Sequence, residues 1–199
     1  PDPGARQDVA VVDFENGPVR RLIDEISEDG SSQSGNFAAI SGNGRYVFFL
    51  ASSLFDQEAV NGFWRYDLKT GTALRIIEDP FSETSLEGTF SVSDSGRYVA
   101  FAARQNDLVE GGTFGDVNIF VHDVREDETF LANADGDFSF PGFPYPILSP
   151  DGRKVAFLGT RDDDETQRSW VSDGAGSWFR NVVERGTRRD DALSGGPRG

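Results

Sequence analysis

Acidic side chains are the first residues in this chain whose types and spacing suggest chemistry. A run of four supplies several oxygen ligands of the kind that a hard cation such as Ca²⁺ prefers: Asp162, Asp163, Asp164 and Glu165. The run lacks the spaced Asp-x-Asp-x-Asp-Gly pattern of a specific calcium loop. A solvated acidic loop is the favoured interpretation and a calcium-like site is the alternative. For the Asp-Gly-Asp segment at 135–137, a simple turn is the favoured interpretation and a calcium-like site is again the alternative.

A second set of carboxylates recurs at the ends of similar hydrophobic segments: Asp13, Asp67, Asp123 and Asp173. Such a set would suit acid–base catalysis if one member differed from the others. Their recurrence predicts instead that each carboxylate accepts backbone N–H groups of the turn that follows it. We therefore expect a structural role for these residues.

The only histidine, His122, excludes a multi-histidine metal centre. Related segments carry Tyr66 and Ser172 at the corresponding position, which argues against a Ser-His-Asp triad and favours a structural role. The sequence also has no Gly-x-Ser-x-Gly nucleophile elbow. It predicts no catalytic residue and no cofactor for this stretch of chain.

An internal repeat positions these residues. In each copy, Ser is followed three residues later by Gly-Arg and then by a hydrophobic strand. The copies begin at Ser41, Ser93 and Ser149, 52 and then 56 residues apart, which is typical of a propeller or an array. Ser, Asp and Asn favour a type I turn, and Gly tolerates the positive φ at its end. We assign a structural role to the repeated residues: Ser41, Gly44, Arg45, Asp67, Ser93, Gly96, Arg97, Asp123, Ser149, Gly152, Arg153 and Asp173.

Each turn joins two predicted strands, and a third strand ending in Asp and then a fourth strand follow. In the last copy the first strand is predicted over residues 144–148 and the fourth over residues 177–183. The second strands, such as residues 46–50, are apolar on both faces, which indicates that they are covered on both sides. The sequence therefore predicts an all-β fold, a partial β-propeller of about three and a half four-stranded antiparallel blades. The arginines after the turn glycines would form a basic ring or, as we favour, lie along neighbouring blades over apolar surface.

The predicted organisation follows the repeat. Residues 1–24 form the last two strands of an incomplete blade, 25–79 a linker and blade 1, 80–133 blade 2, 134–184 blade 3, and 185–199 an exposed polar tail. A closed ring typically needs 4–8 blades, so we expect other protein subunits or the remainder of a longer chain to complete the propeller. The chain begins with Pro1 and contains no Met, which predicts a processed product or an excerpt.

Aromatic residues near prolines are the favoured binding candidates. Four of them lie on the predicted connection between blades 2 and 3: Phe138, Phe140, Phe143 and Tyr145. Prolines restrict the chain there, and aromatic rings supply contact area at a low entropic cost. The alternative is that this segment packs inside the arc of blades. Loop aromatics of lower rank are Phe55, Phe81 and Phe114.

Composition limits the class of partner. The formal net charge of -15 argues against binding to nucleic acid or to anionic lipid. No segment approaches the roughly 18 apolar residues that a membrane span needs, so we expect no direct membrane insertion. Cysteine is absent, so no disulfide holds the fold.

The segment 149–157, Ser-Pro-Asp-Gly-Arg-Lys-Val-Ala-Phe, and the related segment 94–101 resemble the TolB-like β-propeller repeat. The resemblance covers roughly residues 8–184. It implies a bacterial extracytoplasmic propeller, periplasmic or secreted, that binds other proteins as a non-catalytic scaffold or assembly subunit. One alternative is the gating propeller of a larger peptidase similar to prolyl oligopeptidase. Another is a carbohydrate-binding or carbohydrate-processing propeller, although such lyases use a histidine-rich metal site.

Overall fold

The computed structural model describes residues 9–14, 17–22, 35–52, 61–78, 90–103, 108–109, 117–133, 138–140, 144–161 and 168–173. Within these ranges the chain forms β-strands joined by turns, so the all-β prediction is confirmed. No helix in this part of the chain is both long enough and apolar enough to cross a lipid bilayer.

The strands of the described ranges are β1 (Ala10–Val11), β2 (Arg20–Arg21), β3 (Gly35–Ile40), β4 (Tyr46–Ser52), β5 (Asn61–Asp67), β6 (Thr72–Glu78), β7 (Phe90–Val92), β8 (Tyr98–Ala103), β9 (Asn118–Asp123), β10 (Glu128–Leu131), β11 (Phe138–Ser139), β12 (Ile147–Leu148), β13 (Lys154–Arg161) and β14 (Arg168–Asp173). Their pairings are all antiparallel.

These strands form successive sheets along the chain. Strands β1 and β2 make a two-stranded sheet, here called the half-blade. Strands β3 to β6 form blade 1 and β7 to β10 form blade 2, each in chain order. In blade 3 the long strand β13 pairs with β12, with β14 and, at its C-terminal end, with β11.

Blade 3 differs from the sequence prediction at its first strand. The predicted connection between blades 2 and 3 begins inside the sheet, because Phe138 and Ser139 pair with Arg161 and Thr160. The strand predicted over residues 144–148 is reduced to Ile147–Leu148. Prolines at 144 and 146 have no N–H to donate to a ladder, which accounts for the shortening. The predicted fourth strand at 177–183 lies outside the described residues.

Apolar side chains fill the space between successive sheets. Val47 and Phe49 of β4 pack in a cluster with Val9 and Leu22 of the half-blade. Phe48, between them in sequence, packs in a second cluster with residues of blade 2. A third cluster joins blades 2 and 3: Tyr98, Ala100, Ala102, Val117, Ile119, Val121, Ala132, Leu148, Val155 and Phe157. Successive side chains of a strand point to opposite faces, so a strand between two blades has no polar face.

The repeated turns have the geometry that their residues favour. Gly44, Gly96 and Gly152 have φ of 69°, 67° and 75°, in the left-handed region where glycine avoids a steric penalty. In the first turn, Ser41 accepts the Tyr46 N–H at its Oγ, 2.9 Å away. Ser93 and Ser149 accept the corresponding N–H groups at 3.1 and 2.9 Å. The serine thus closes each hairpin, and the glycine allows the chain to reverse.

Candidate binding site

Of the predicted binding residues whose side chains the structure describes, Tyr145 is the best exposed. Its side chain is 70% exposed, whereas Pro144 and Pro146 on either side are buried. Each proline fixes its own φ, and Pro146 also restricts the backbone of Tyr145. The tyrosine is therefore presented to solvent from an anchored segment whose conformational freedom is already reduced.

Two further apolar side chains are exposed in the same blade. Ile147 is 66% exposed and lies opposite Ala156 in the β12–β13 pairing. Leu158, 45% exposed, is two residues beyond Ala156 and so lies on the same face of β13. The alternate residues Val155 and Phe157 pack toward blade 2. Tyr145, Ile147 and Leu158 are here called the blade-3 surface.

Of the remaining predicted aromatic residues, the structure describes Phe140 and the backbone of Phe138. Phe140 is partly buried, and its ring packs edge-on against Phe157 with centroids 6.1 Å apart, so it supports the core of blade 3. The backbone of Phe138 lies in β11. Four residues of the prediction lie outside the described ranges: Phe55, Phe81, Phe114 and Phe143.

The recurring aspartates pair with the repeated arginines, a contact that the sequence analysis missed. In blade 1, Arg45 donates from Nε to both carboxylate oxygens of Asp67 at 3.0 and 3.2 Å, and from Nη2 to Oδ2 at 2.6 Å. In blade 2, Arg97 makes the same three bonds to Asp123 at 2.8, 3.1 and 2.6 Å. The available signal was the presence of both Gly-Arg and the later Asp in every copy.

These bonds hold the carboxylates in their ionised form. The hydrogen bond from Arg45 is the largest influence on Asp67 and lowers its pKa to about 2. Burial raises the pKa of Asp123, but bonds from Arg97 and from the Arg125 N–H outweigh it and leave the pKa below its ordinary value. Asp67 also accepts the Lys69 N–H at 2.9 Å. Both carboxylates serve as anchors for a turn and an arginine, and neither is poised to take up a proton near neutral pH.

Each complete joint between blades uses the tyrosine that follows this arginine. The guanidinium of Arg45 lies 4.8 Å from the centroid of the Tyr46 ring, a cation–π contact. The same ring lies against Gly96 of blade 2 so closely that a β-carbon on Gly96 would overlap it. The arrangement recurs between blades 2 and 3 with Arg97, Tyr98 and Gly152. In blade 3 the position of the tyrosine is occupied by Lys154.

Backbone hydrogen bonds also link the turns of successive blades. The Asn43 N–H donates to the carbonyl of Asp94 at 3.0 Å, and the Asp94 N–H donates to the carbonyl of Pro150 at 2.8 Å. A side chain adds a further link, because the Oγ of Ser91 in blade 2 accepts the Leu148 N–H of blade 3 at 2.7 Å. The blades are thus held by polar contacts at the turn end and by apolar contacts between the sheets.

His122 is a buried residue of strand β9 in blade 2. Its Nδ1 is 3.0 Å from the Thr129 hydroxyl. Among the described residues its buried Nε2 has no hydrogen-bond partner, and the nearest Asp127 carboxylate oxygen lies at 3.8 Å. Burial lowers the pKa of His122, against the opposing charges of Asp127 and Asp123. The imidazole is therefore predominantly neutral at pH 7.

The described residues contain no group of three or more His, Asp or Glu side chains arranged to hold a metal ion. The acidic run Asp162 to Glu165 and the segment 135–137 lie outside those residues, so the calcium-like alternative stays a prediction. Asp13 is exposed, and its carbonyl accepts the Gly17 N–H at 3.1 Å. Asp173 ends β14.

No family model and no curated protein matches this sequence. Solved structures do match. TolB from Acinetobacter baumannii superposes with a TM-score of 0.54 and 16% identity over 88% of this chain and 36% of that chain. Oligogalacturonate lyase from Vibrio parahaemolyticus gives 0.57 and 11% over 89% and 44%. An oligogalacturonate lyase in complex with manganese gives 0.51 and 11% over 78% and 38%.

These likenesses establish the fold. The chain has a TolB-like β-propeller fold, and the prediction of a partial β-propeller is confirmed. The chain spans less than half the length of each of these matched structures. Because one of the matched proteins is a lyase, the fold is shared by proteins of different activities and does not itself assign one.

Proposed function

We propose that this chain is a non-catalytic protein-binding scaffold or assembly subunit built on a TolB-like β-propeller. The observation that carries the proposal is the presentation of Tyr145, exposed to solvent between two buried prolines. The partner is another protein subunit or the remainder of a longer chain. We place the protein in the bacterial periplasm or outside the cell, supported by the likeness of its fold to TolB.

The blade-3 surface has the physical properties of a protein-binding site. A tyrosine offers a large contact area with only two side-chain torsions to immobilise, so ordering it on binding costs little entropy. Its anchored backbone reduces that cost further. Ile147 and Leu158 add exposed apolar area. Soluble proteins rarely expose large apolar patches except at interaction sites.

A site-specific photo-crosslinking experiment tests the proposal. A photoreactive amino acid at position 145 should trap a protein partner in an extract of the source organism, because the side chain lies within the proposed contact. The same reagent at position 128, an exposed glutamate of β10 in blade 2, is the matched control. The purified partner should then bind the Tyr145→Ala variant at least about 10-fold more weakly than the unmodified chain. Equal trapping at both positions, or unchanged affinity, would contradict the assignment.

A carbohydrate-processing function is the second candidate, supported by the fold likeness to oligogalacturonate lyase. Two measurements separate it from the scaffold. A lyase propeller should release unsaturated products from oligogalacturonate, and a metal-dependent one should be stabilised against heat by Mn²⁺ or Ca²⁺, because a ligand of the folded state raises its stability. We expect neither effect for the scaffold.

A further inference from the structure

Arg65 departs from the repeat at a position that faces a neighbouring blade. The position two residues before the recurring aspartate carries valine in the half-blade, in blade 2 and in blade 3: Val11, Val121 and Val171. Val121 is fully buried and packs in the joint between blades 2 and 3. Blade 1 has the charged residue Arg65 at this place. An apolar side chain is sufficient for packing there, so the arginine requires a separate explanation.

The side chain of Arg65 lies half-buried between blades 1 and 2. Its guanidinium carbon is 4.6 Å from the centroid of the Tyr46 ring, and its Nη1 donates to the carbonyl of Gly96 at 3.4 Å, a long hydrogen bond. Within the described part of the chain Arg65 makes no ion pair, and the carboxylate of Asp67 is bonded to Arg45. Burial lowers the pKa of Arg65, and the opposing contributions of Tyr46 and Asp67 do not offset it. Arg65 is therefore a partly desolvated cation with unused donors.

The joint between blades 1 and 2 is open to solvent beside this cation. Leu74 of β6 lies directly opposite Arg65, so the two side chains share one face of the sheet, and Leu74 is 47% exposed. In blade 2 the corresponding pair is Val121 and Phe130, and there the phenylalanine packs against the joint with blade 3. A molecule entering the first joint would thus meet a guanidinium and an aliphatic side chain together.

We propose that Arg65 binds the carboxylate of a small monocarboxylic acid in the joint between blades 1 and 2, with the aliphatic part of the acid against Leu74. The fork of a guanidinium matches a carboxylate through two parallel hydrogen bonds, and such charge-assisted bonds are strong. The bound anion would supply a counter-charge to Arg65. The net charge of -15 repels a dianion such as phosphate more than a singly charged carboxylate. This site is separate from Tyr145 in blade 3 and is independent of the scaffold role.

Thermal unfolding of the full chain in the presence of ligand tests the site. The probes are sodium hexanoate, sodium acetate and sodium phosphate at constant ionic strength, with chloride as the reference anion. Hexanoate should raise the melting temperature in a saturable manner, because a ligand of the folded state raises its stability. Acetate should bind about 10-fold more weakly, because it lacks the methylene groups that pack against Leu74. Phosphate should also bind more weakly than hexanoate.

Variants of Arg65 separate anion binding from a structural role. Arg65→Val introduces the residue of the other three copies and should abolish the effect of hexanoate. It should not lower the melting temperature in chloride, because it removes a partly desolvated charge. Arg65→Lys keeps the charge but loses the fork, so it should bind hexanoate about 10-fold more weakly. Arg125→Gln, at an exposed arginine of the β9–β10 turn, is the matched control and should leave binding unchanged.

Nuclear magnetic resonance locates the bound acid. The Nε–H signal of Arg65 and the ring signals of Tyr46 should shift with hexanoate, with the same half-saturation as the melting temperature. An unchanged Arg65 signal, equal stabilisation of the Arg65→Val chain, or equal effects of hexanoate, acetate and phosphate would overturn the proposal. A lower melting temperature of Arg65→Val in chloride, with no effect of carboxylates on either chain, would make Arg65 a link between blades and would overturn it too.

Discussion

Blades 1 and 2 build the same ion pair from the same repeated residues, yet they bury it to different extents. The side chain of Asp67 is 13% exposed and that of Asp123 is 1% exposed. Blade 1 is covered on one side by the two-stranded half-blade, whereas blade 2 lies between two larger sheets. The repeat therefore determines the local geometry, and the neighbouring sheets determine how strongly each copy depends on it.

Removal of the carboxylate in each blade is expected to give the largest difference. Asp123→Ala leaves the partly buried Arg97 without its main counter-charge and the Arg125 N–H without its acceptor, so we expect a loss of about 3 kcal/mol in the free energy of unfolding. Asp67→Ala should lose about 1 kcal/mol, because water reaches that pair more readily. Urea denaturation of both variants measures the two losses.

The corresponding asparagine variants are the matched controls. Asn keeps an oxygen that accepts the backbone N–H of the turn but removes the charge. The loss in Asp123→Asn therefore measures the contribution of the ion pair without that of the turn hydrogen bond. Equal losses in the two blades would show that burial by neighbouring sheets does not set the strength of the pair.

Alanine in place of the turn glycines separates backbone strain from the fit between blades. Gly44 and Gly96 both have positive φ, but a β-carbon on Gly44 would meet no atom of the described residues within 4 Å, whereas one on Gly96 would overlap Tyr46. We expect Gly44→Ala to cost about 1 kcal/mol and Gly96→Ala about 2 to 3 kcal/mol. Thermal unfolding followed by circular dichroism measures both. Adding Tyr46→Ala to Gly96→Ala should relieve the overlap, so the double variant should lose less stability than the sum of the two single variants. A strictly additive loss would show that the overlap is not the cause.

Acid sensitivity should distinguish blade 2 from blade 1 through His122, since blade 1 has Tyr66 at that position. Burial lowers the pKa of His122 in the folded chain. The unfolded chain therefore binds the proton first, and this contribution to stability is complete above the ordinary pKa of about 6.5 and declines as pH falls below it. The decline between pH 6.5 and 5 should be smaller in His122→Phe, as urea denaturation at each pH would show. Asp127→Asn should not reduce the decline, because it leaves the imidazole in place and removes a charge that raises its pKa. An identical decline in His122→Phe would assign it to other groups.

The smallest expected effect concerns one hydrogen bond between blades. Ser91 accepts the Leu148 N–H, whereas Ala39, at the equivalent position of blade 1, has no hydroxyl. Ser91→Ala should reduce the free energy of unfolding by about 1 kcal/mol. Ala39→Ser, the reciprocal change, should have little effect. A comparable loss from both would indicate a general sensitivity of the first strand of each blade and no special role for the bond.

Much of the fold could be predicted from the sequence because local chemistry determines the turns and hairpins. The turns need glycine at a positive φ and a serine to close the hairpin, so Ser41 and Gly44 and their relatives mark the hairpins directly. The Arg45–Asp67 pair was not foreseen, since the two residues are 22 positions apart and meet only when β4 and β5 take their register. The position of Phe140 likewise depends on tertiary packing against Phe157. For Tyr145 the neighbouring prolines gave the signal, whereas its exposure is seen only in the folded structure.

The fit of Tyr46 on Gly96 has a consequence for how such a repeat can be copied. Blade 2 carries both partners of the joint, Gly96 for the blade before it and Tyr98 for the blade after it. A duplicate of such a blade can pack against the original on either side, because one face carries the glycine and the other carries the tyrosine that fits it. Blade 3 keeps Gly152 but has Lys154 in place of the tyrosine. An extra copy inserted between blades 1 and 2 would keep a tyrosine against a glycine at each joint. A copy placed after blade 3 would instead bring its turn glycine against Lys154, where the other joints have a tyrosine ring.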